Sequence, residues 1–385
     1  MATKHYDYII AGAGCAGFSL LMRMMNDAYF LEKKILVIDR EIKNKNDRTW
    51  CFWEKGQGLF EPIVHHQWQH VNFYTKDFFT KLHLNPYHYK MIQGLDLYNS
   101  VLDKAKNFPN IEFRYEEVLS IHTNSLHAEL HLKNESLTTE YLFNSILFEK
   151  HKTALSKNVY QLLQHFKGWV IETSEASFDP LVATLMDFRV SQAEGTTFFY
   201  VMPISTTTAL VEYTLFSESL LLHEAYDAAL KNYISELLGI KDYNILHEEF
   251  GIIPMTNQSF PLQDQRIIQM GVAGGQVKGS SGYAFQFIQK RTAAIVDGLK
   301  KGKPRFDNIA FQQKKGNLYD AVLLNVLHHQ KMSGDEIFKS IFSKNKTETV
   351  LRFLDNESSI VEDVKIMNSV PTNIFLPAAM FELSH

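Results

Sequence analysis

Apolar and polar positions alternate along this chain with two different periods, and the changes of period mark its elements. Tyr6-Asp7-Tyr8-Ile9-Ile10-Ala11 predicts a first strand, the residues after Gly12-Ala13-Gly14-Cys15-Ala16-Gly17 an apolar helix, and Ile35-Leu36-Val37-Ile38-Asp39 a second strand. The polar linker Lys43–Asp47 follows, then the dense segment Arg48-Thr49-Trp50-Cys51-Phe52-Trp53. Residues 60–90 alternate in places, as in His70-Val71-Asn72-Phe73-Tyr74, and predict strands. A helix is expected from Gly94 to Lys106, with Leu95, Tyr98, Val101, Leu102 and Ala105 on one face. Ile111–Tyr115 predicts another strand of the first sheet, and residues 117–148 a meander of short strands closing on Tyr141–Ser145. From Gly168 to Glu249 the pattern is strand-rich, with Ser217–Leu238 expected to be helical. Residues Ile267–Lys300 repeat the opening style of strand, glycines and helix, and the chain after Pro304 reads as mostly helical.

The glycines of the first turn give that pattern a chemical meaning. Gly12 permits the tight turn, Gly14 leaves room for a pyrophosphate to approach the backbone, and Gly17 lets the helix pack closely on the strand. Asp39, 22 residues beyond Gly17, stands at the end of the second strand, where a carboxylate can accept hydrogen bonds from a ribose. Strand, turn, helix, second strand and acid occur in order, which is the dinucleotide-binding βαβ unit. The late glycine-rich turn would supply further backbone N–H groups and a positive helix end to the same anionic cofactor. A simple nicotinamide dehydrogenase does not need that second contact; flavoproteins whose FAD domain is interrupted by a substrate domain do.

Composition narrows the ligand less than the motifs do. A chain of 385 residues has room for two or three domains, and its 45% hydrophobic and 21% charged residues are those of a well-packed globular protein. The 28 phenylalanines, 17 tyrosines and 4 tryptophans fit a large apolar ligand, a membrane-dipping face, or an aromatic-rich core. A net charge of -4 with dispersed signs offers no basic stripe, so no nucleic-acid partner is expected. The 16 histidines lack zinc-site spacing, and no metal is expected. Two cysteines, Cys15 and Cys51, make no disulfide framework and point to a cytoplasmic setting. The early first strand leaves no room for a signal peptide, and no run of 18 apolar residues would span a bilayer. Any membrane contact is expected to be peripheral.

Five segments together resemble one family, the flavin-dependent lycopene cyclases of bacterial and plant type. They are the glycine loop, Asp47–Trp53, Phe178-Asp179-Pro180 with Leu185-Met186-Asp187-Phe188-Arg189, Leu210-Val211-Glu212-Tyr213-Thr214-Leu215-Phe216, and Gly271-Val272-Ala273-Gly274-Gly275 with Ser281-Gly282-Tyr283. The resemblance runs from Tyr8 to about Leu299 and weakens beyond. It implies an α/β fold: a Rossmann-like FAD-binding domain (residues 1–60, 92–150 and 262–303) interrupted by a β-sheet substrate domain (61–91 and 151–261), with a C-terminal helical region (304–385). It also implies the reaction, a proton-initiated closure of the acyclic ends of lycopene, a C40 polyene, to β-rings by way of γ-carotene. No net electrons move, yet FAD is required in reduced form, kept so by NAD(P)H, to stabilise positive charge.

Carried onto this sequence, the resemblance makes Glu212 the acid. Its apolar neighbours disfavour the carboxylate, as a donor to a weakly basic alkene requires; on alternation alone, Glu212 could equally face outward. Plant members carry a second glutamate where this chain has Tyr213, which leaves a two-carboxylate relay within this motif without its second acid and makes Tyr213 a substrate contact. Asp187 is a second catalytic candidate, or else a structural ion pair with Arg189, two residues along one strand. Arg48 is expected at phosphate or flavin and Trp50 in the tunnel wall, where ring faces stabilise cations; a packed loop is the alternative for both. Gly271, Gly274, Gly275 and Gly282 are expected at the flavin. The commoner flavoprotein Gly-Asp is Gly271-Val272 here, a departure that cyclases share and hydroxylases do not. Where many members place an arginine after Phe-Asp-Ser, this chain has Phe143-Asn144-Ser145-Ile146. The competing readings are a flavin-dependent isoprenoid reductase or monooxygenase, and a non-catalytic carotenoid-binding protein. Lipid contact on the cytoplasmic side of the membrane is expected at Trp68–Phe79 or at Phe375–Phe381.

Overall fold

The structure, a computed structural model, describes residues 4–148, 159–302, 304, 306 and 311–384. Its strands in chain order are β1 (His5–Ala11), β2 (Ile35–Asp39), β3 (Thr49–Lys55), β4 (His66–Trp68), β5 (His70–Tyr74), β6 (Phe79–His83), β7 (Tyr87–Gln93), β8 (Ile111–Tyr115) and β9 (Ser120–Thr123). They continue with β10 (Ala128–His131), β11 (Ser136–Asn144), β12 (Gln161–Thr173), β13 (Val182–Asp187), β14 (Thr196–Pro203), β15 (Thr208–Ser217), β16 (Tyr243–Thr256), β17 (Gln263–Asp264) and β18 (Ile267–Gln269). The helices are α1 (Cys15–Met25), α2 (Gly94–Ala105), α3 (His223–Asn232), α4 (Phe285–Lys300), α5 (Phe311–His328), α6 (Gly334–Lys344), α7 (Thr347–Leu354), α8 (Ile360–Met367) and α9 (Thr372–Ser384).

The first sheet has the order β17-β18-β11-β1-β2-β8, and β18, β11, β1, β2 and β8 run parallel. Parallel strands are covered on both faces, which is why β1 and β2 read as continuous apolar runs. One face holds Tyr8, Ile10, Ile35 and Val37 under α1, α2 and α4. The other holds Tyr6, Ile9, Leu36 and Ile38 under the β9–β10 hairpin.

The second sheet has the order β16-β12-β15-β14-β13-β5-β6 and is antiparallel except between β13 and β5. Every residue of β14 is buried, because the sheet is covered twice. Phe199, Val201, Val211, Tyr213 and Leu215 pack on one side with Tyr226 and Leu230 of α3. Phe198, Tyr200, Met202, Leu210 and Phe216 pack on the other side with Trp53, Tyr89 and the C-terminal helices. A third sheet, β3-β7-β4, contains the Arg48–Trp53 motif. The strand of that motif, grouped above with residues 1–60, therefore pairs with β7, which pairs in turn with β4, and not with the nucleotide sheet.

The expected helix over Ser217–Leu238 starts later. Ser217 is still a strand residue, paired with Leu163, and α3 begins at His223, ending in one wide π turn over Tyr233–Leu237. Pairing with β12 carries β15 through Ser217 and overrides the local pattern there. No helix among the described residues is long and apolar enough to cross a membrane. No group of three or more His, Cys, Asp or Glu among them is placed to hold a metal ion.

Candidate active site

Two glycine turns meet at the N-terminus of α1. Gly12 adopts φ +100°, a backbone state that a side chain disfavours, and donates its N–H to Ile38 at 2.8 Å. A Cβ on Gly17 would lie 2.0 Å from the Gly12 carbonyl oxygen, so this glycine is what allows the helix to close on the loop. A Cβ on Gly14 would meet nothing within 4 Å and would project into open space. The first turn of α1 has no side-chain cap and no acid, leaving its N–H groups free for an anion. Burial pushes the Cys15 thiol up to about 12, so no thiolate competes there. The Asp39 carboxylate accepts from the Ala13 N–H at 2.7 Å and the Glu41 N–H at 3.0 Å, and faces Lys43 at 3.1 Å. It thus ties the loop to the end of β2.

The late turn comes to the same place. Gly271 lies against Ala16 of α1, where an added Cβ would stand 3.2 Å from that of Ala16. A Cβ on Gly282 would strike Gln164 Oε1 at 2.0 Å. The turn is anchored from behind: Lys278 Nζ donates to Asp320 at 2.7 Å and Asn356 at 2.9 Å, and the Ser280 hydroxyl donates to Asp320 at 2.6 Å. Such a buried, fully bonded ion pair fixes the position of the loop on α5.

Between the turns and the second sheet lies a cavity of about 390 Å³. Of the residues singled out from sequence, Gly14, Arg48, Trp50, Glu212, Gly271 and Gly282 line it. Gly274 and Gly275 line an adjoining cavity of about 490 Å³, while Gly12, Gly17 and Asp39 shape the first turn behind. Arg48 is exposed, holds the Asp47 carbonyl at 2.8 Å, and keeps further donors free of any carboxylate among the described residues. Gln164 Oε1 and Ser281 Oγ, in side chains 7% and 4% exposed, line the cavity without a hydrogen-bond partner. Buried polar atoms of this kind are normally satisfied. Free helix N–H groups, an open face at Gly14 and these two atoms fit a dinucleotide with a polar ring system.

Asp187 and Tyr213 are not part of this site. Directly opposed residues in a sheet share a face, and Tyr213, Phe199 and Asp187 form one such row. That row points to the α3 side, since Tyr213 is the immediate neighbour of Glu212 and so faces the opposite way. The Arg189 guanidinium donates to the Asp187 carboxylate at 2.6 Å and 2.9 Å, and the Tyr233 hydroxyl donates to it at 2.8 Å. Asp187 is fully buried and fully used, as a structural ion pair. Tyr213 packs 4.8 Å from the Phe199 ring, which stacks on Tyr233. Neither lines the cavity.

Glu212 faces the cavity in a row that sequence reading did not assemble: Glu249 of β16, Gly168 of β12, Glu212 of β15 and Tyr200 of β14. Gly168 has no side chain, so the two carboxyls meet over it; a Cβ there would sit 3.2 Å from Glu249 Cγ. Burial pushes the Glu212 carboxyl well above the usual range, the charge of and hydrogen bond with Glu249 push it further, and the Thr214 hydroxyl, donating at 3.0 Å, opposes them. The Thr49 hydroxyl donates to Glu249 at 2.8 Å. Tyr89, Tyr200 and Tyr283 complete the wall with phenols that burial keeps neutral. Glu249, Gly168 and Thr49 were missed. An acid beside Phe250-Gly251-Ile252-Ile253 was a readable signal for Glu249, but its partner strand was not.

Solved structures share this architecture. A geranylgeranyl bacteriochlorophyll reductase-like protein from Thermoplasma acidophilum superposes with a TM-score of 0.62 at 13% identity, over 100% of this chain and 99% of that one. A flavin-dependent brominase, Bmp2, gives 0.64 at 11% identity, over 99% and 98% of the two chains. A flavoprotein/dehydrogenase from Cytophaga hutchinsonii gives 0.60 at 10%, over 99% of each. These identities establish the fold, an α/β flavoprotein architecture with a sheet domain and C-terminal helices. The family described as lycopene cyclase protein matches residues 7–380, nearly the entire length. On that match the chain belongs to the lycopene cyclase family.

Proposed function

We propose that this protein is a lycopene β-cyclase that closes both ends of its substrate while holding reduced FAD. The observation that carries the reading is Glu212, a half-buried carboxyl whose affinity for its proton is raised well above the usual carboxylate range, in an aromatic-walled cavity that also opens onto the first glycine turn. The pyrophosphate would lie on the Gly14 face and the α1 N-terminus, the ribose near Asp39, and the ring system against Gly271, Gly282, Gln164 and Ser281. Bound in reduced form, and kept so by NAD(P)H, FAD supplies electron density that stabilises positive charge in the site.

The chain's own residues do the rest. Glu212 gives its proton to the terminal double bond, the tertiary cation is captured by the neighbouring double bond to close the ring, and a ring proton leaves. Trp50, Tyr89, Tyr200 and Tyr283 present π faces to the cation and exclude water that would quench it as an alcohol. The two protons cancel, so the product is an isomer.

The test is expression in a lycopene-accumulating bacterium with chromatography of the pigments. β-Carotene, with γ-carotene as its one-ringed precursor, is expected. Oxygenated or saturated products would replace the reading with a monooxygenase or reductase, and unchanged lycopene beside a folded, flavin-loaded protein with a carotenoid-binding one.

Lipid contact on the cytoplasmic face belongs to the same proposal. In the Trp68–Phe79 segment Trp68 and Phe73 are fully buried and only Phe79 is an exposed large hydrophobic residue. The C-terminal helices expose more: Val361, Val364 and Met367 on α8, and Leu376, Met380 and Leu383 on α9. Replacing Met380 and Leu383 together with glutamate is expected to release the protein from sedimenting phospholipid vesicles without altering its flavin spectrum. Equal sedimentation would move the contact elsewhere.

A further inference from the structure

Cyclisation needs two proton transfers at different carbons of one substrate end, and Glu212 supplies the first. The second is removal of a proton from the ring cation, and where that proton is taken decides the product. Loss from the ring carbon that carries the polyene gives a β-ring, loss from the other flanking ring carbon gives an ε-ring, and loss from the methyl group gives an exocyclic double bond. A base in a fixed position therefore sets the ring type.

Few groups in the cavity can act as that base. Its described lining contains two carboxyls, Glu212 and Glu249, with Arg48, Cys15, Cys51 and the phenols of Tyr89, Tyr200 and Tyr283, and no histidine. Arg48 is a cation, and burial holds the thiols and phenols in their protonated forms. Glu212 has just become the conjugate base at the far end of the new bond. Glu249 remains, 8% exposed, held by the Thr49 hydroxyl and facing Glu212 across the bare Gly168.

Resting on the cyclase reading above, we propose that Glu249 is the base that takes the ring proton, so that it fixes the β position of the double bond. The balance closes within the pair. Glu212 loses a proton to the alkene, Glu249 gains one from the ring carbon as the C–H electron pair becomes the new double bond, and the proton returns from Glu249 to Glu212, which faces it across Gly168. No oxidant or reductant is consumed.

The parent chain and Glu249→Gln are compared as flavin-loaded enzymes with lycopene in liposomes, reading rate and ring composition. The introduced amide keeps an acceptor for Thr49 but cannot take a proton. The variant is expected to retain its flavin spectrum, to lose about 10²–10⁴-fold in kcat with little change in KM, and to give a residual product containing ε-rings or exocyclic double bonds. Glu249→Asp is expected to recover part of the rate and of the β-ring share. A parent that makes no rings would sink the cyclase reading itself. With a ring-forming parent, a slowed Glu249→Gln variant whose rings are all of the parent type would overturn the inference, leaving Glu249 a positioning residue. If Glu249→Gln gives no product, recovery in Glu249→Asp supports the inference and its absence overturns it. If Glu249→Gln fails to hold flavin, Thr49→Val decides: a raised share of other ring types supports the proposal, and an unchanged mixture overturns it.

Discussion

Glu212→Gln is expected to abolish ring formation, lowering kcat by at least about 10²–10⁴-fold, while the flavin spectrum and lycopene binding stay intact. Glutamine keeps the length of the side chain and an acceptor for Thr214, so the strand and its neighbours are undisturbed. What it lacks is a transferable proton: the thiols and tyrosines of the cavity are far weaker acids in this setting, and Glu249, the other carboxyl of the lining, is assigned to the ring carbon and not to the terminal double bond. The pH profile of the parent follows from the same carboxyl. Its folded-state pKa is raised above the usual 4.5 by burial and by Glu249, so the active, protonated form persists above the ordinary range, and activity falls as pH rises through the raised value. The sign for stability is parallel: the folded state holds the proton more tightly, so this site's contribution is fully present below the unfolded pKa and is lost as pH rises. Thermal unfolding should accordingly show Glu212→Gln gaining on the parent towards alkaline pH. Retained cyclisation in the variant would remove Glu212 from the proposal.

Gly14→Val is expected to give a folded protein that no longer holds FAD, with loss of the flavin absorbance and of all activity. Nothing in the protein lies within 4 Å of the position that the new Cβ would take, so the fold has no reason to object. The obstruction falls on the ligand, because the side chain would fill the space in front of the α1 N-terminus where a pyrophosphate needs to reach backbone N–H groups. Gly17→Ala is the contrasting control. There the added Cβ would collide with the Gly12 carbonyl at 2.0 Å, so destabilisation of the fold is expected together with the loss of flavin. Circular dichroism and flavin absorbance measured on both variants separate the two effects. A Gly14→Val protein that retains FAD would show that the cofactor sits elsewhere.

The first turn is legible from sequence because its constraints are local. A positive φ at Gly12, the close approach at Gly17 and the return to Asp39 all lie within one βαβ unit, and the apolar runs of β1 and β2 announce strands covered on both faces. The late turn is legible for the same reason. The local pattern starts the helix after β15 too early because pairing with Leu163 of β12 keeps Ser217 extended, which no short stretch of sequence records.

The catalytic face is harder to read. Alternation shows that Glu212 and Tyr213 face opposite ways, but it does not say which way the cavity lies. The motif resemblance therefore selects Glu212, which lines the cavity, and draws in Tyr213 and Asp187, which the sheet turns towards α3. Sequence by itself determined the period of each element, the glycines that make the two turns, and the acid that sits among apolar neighbours. Only the tertiary structure decided that Glu249 stands across Gly168 from Glu212. Strand pairing draws these three residues from distant stretches of the chain into one row, by hydrogen bonds whose register no short stretch of sequence encodes.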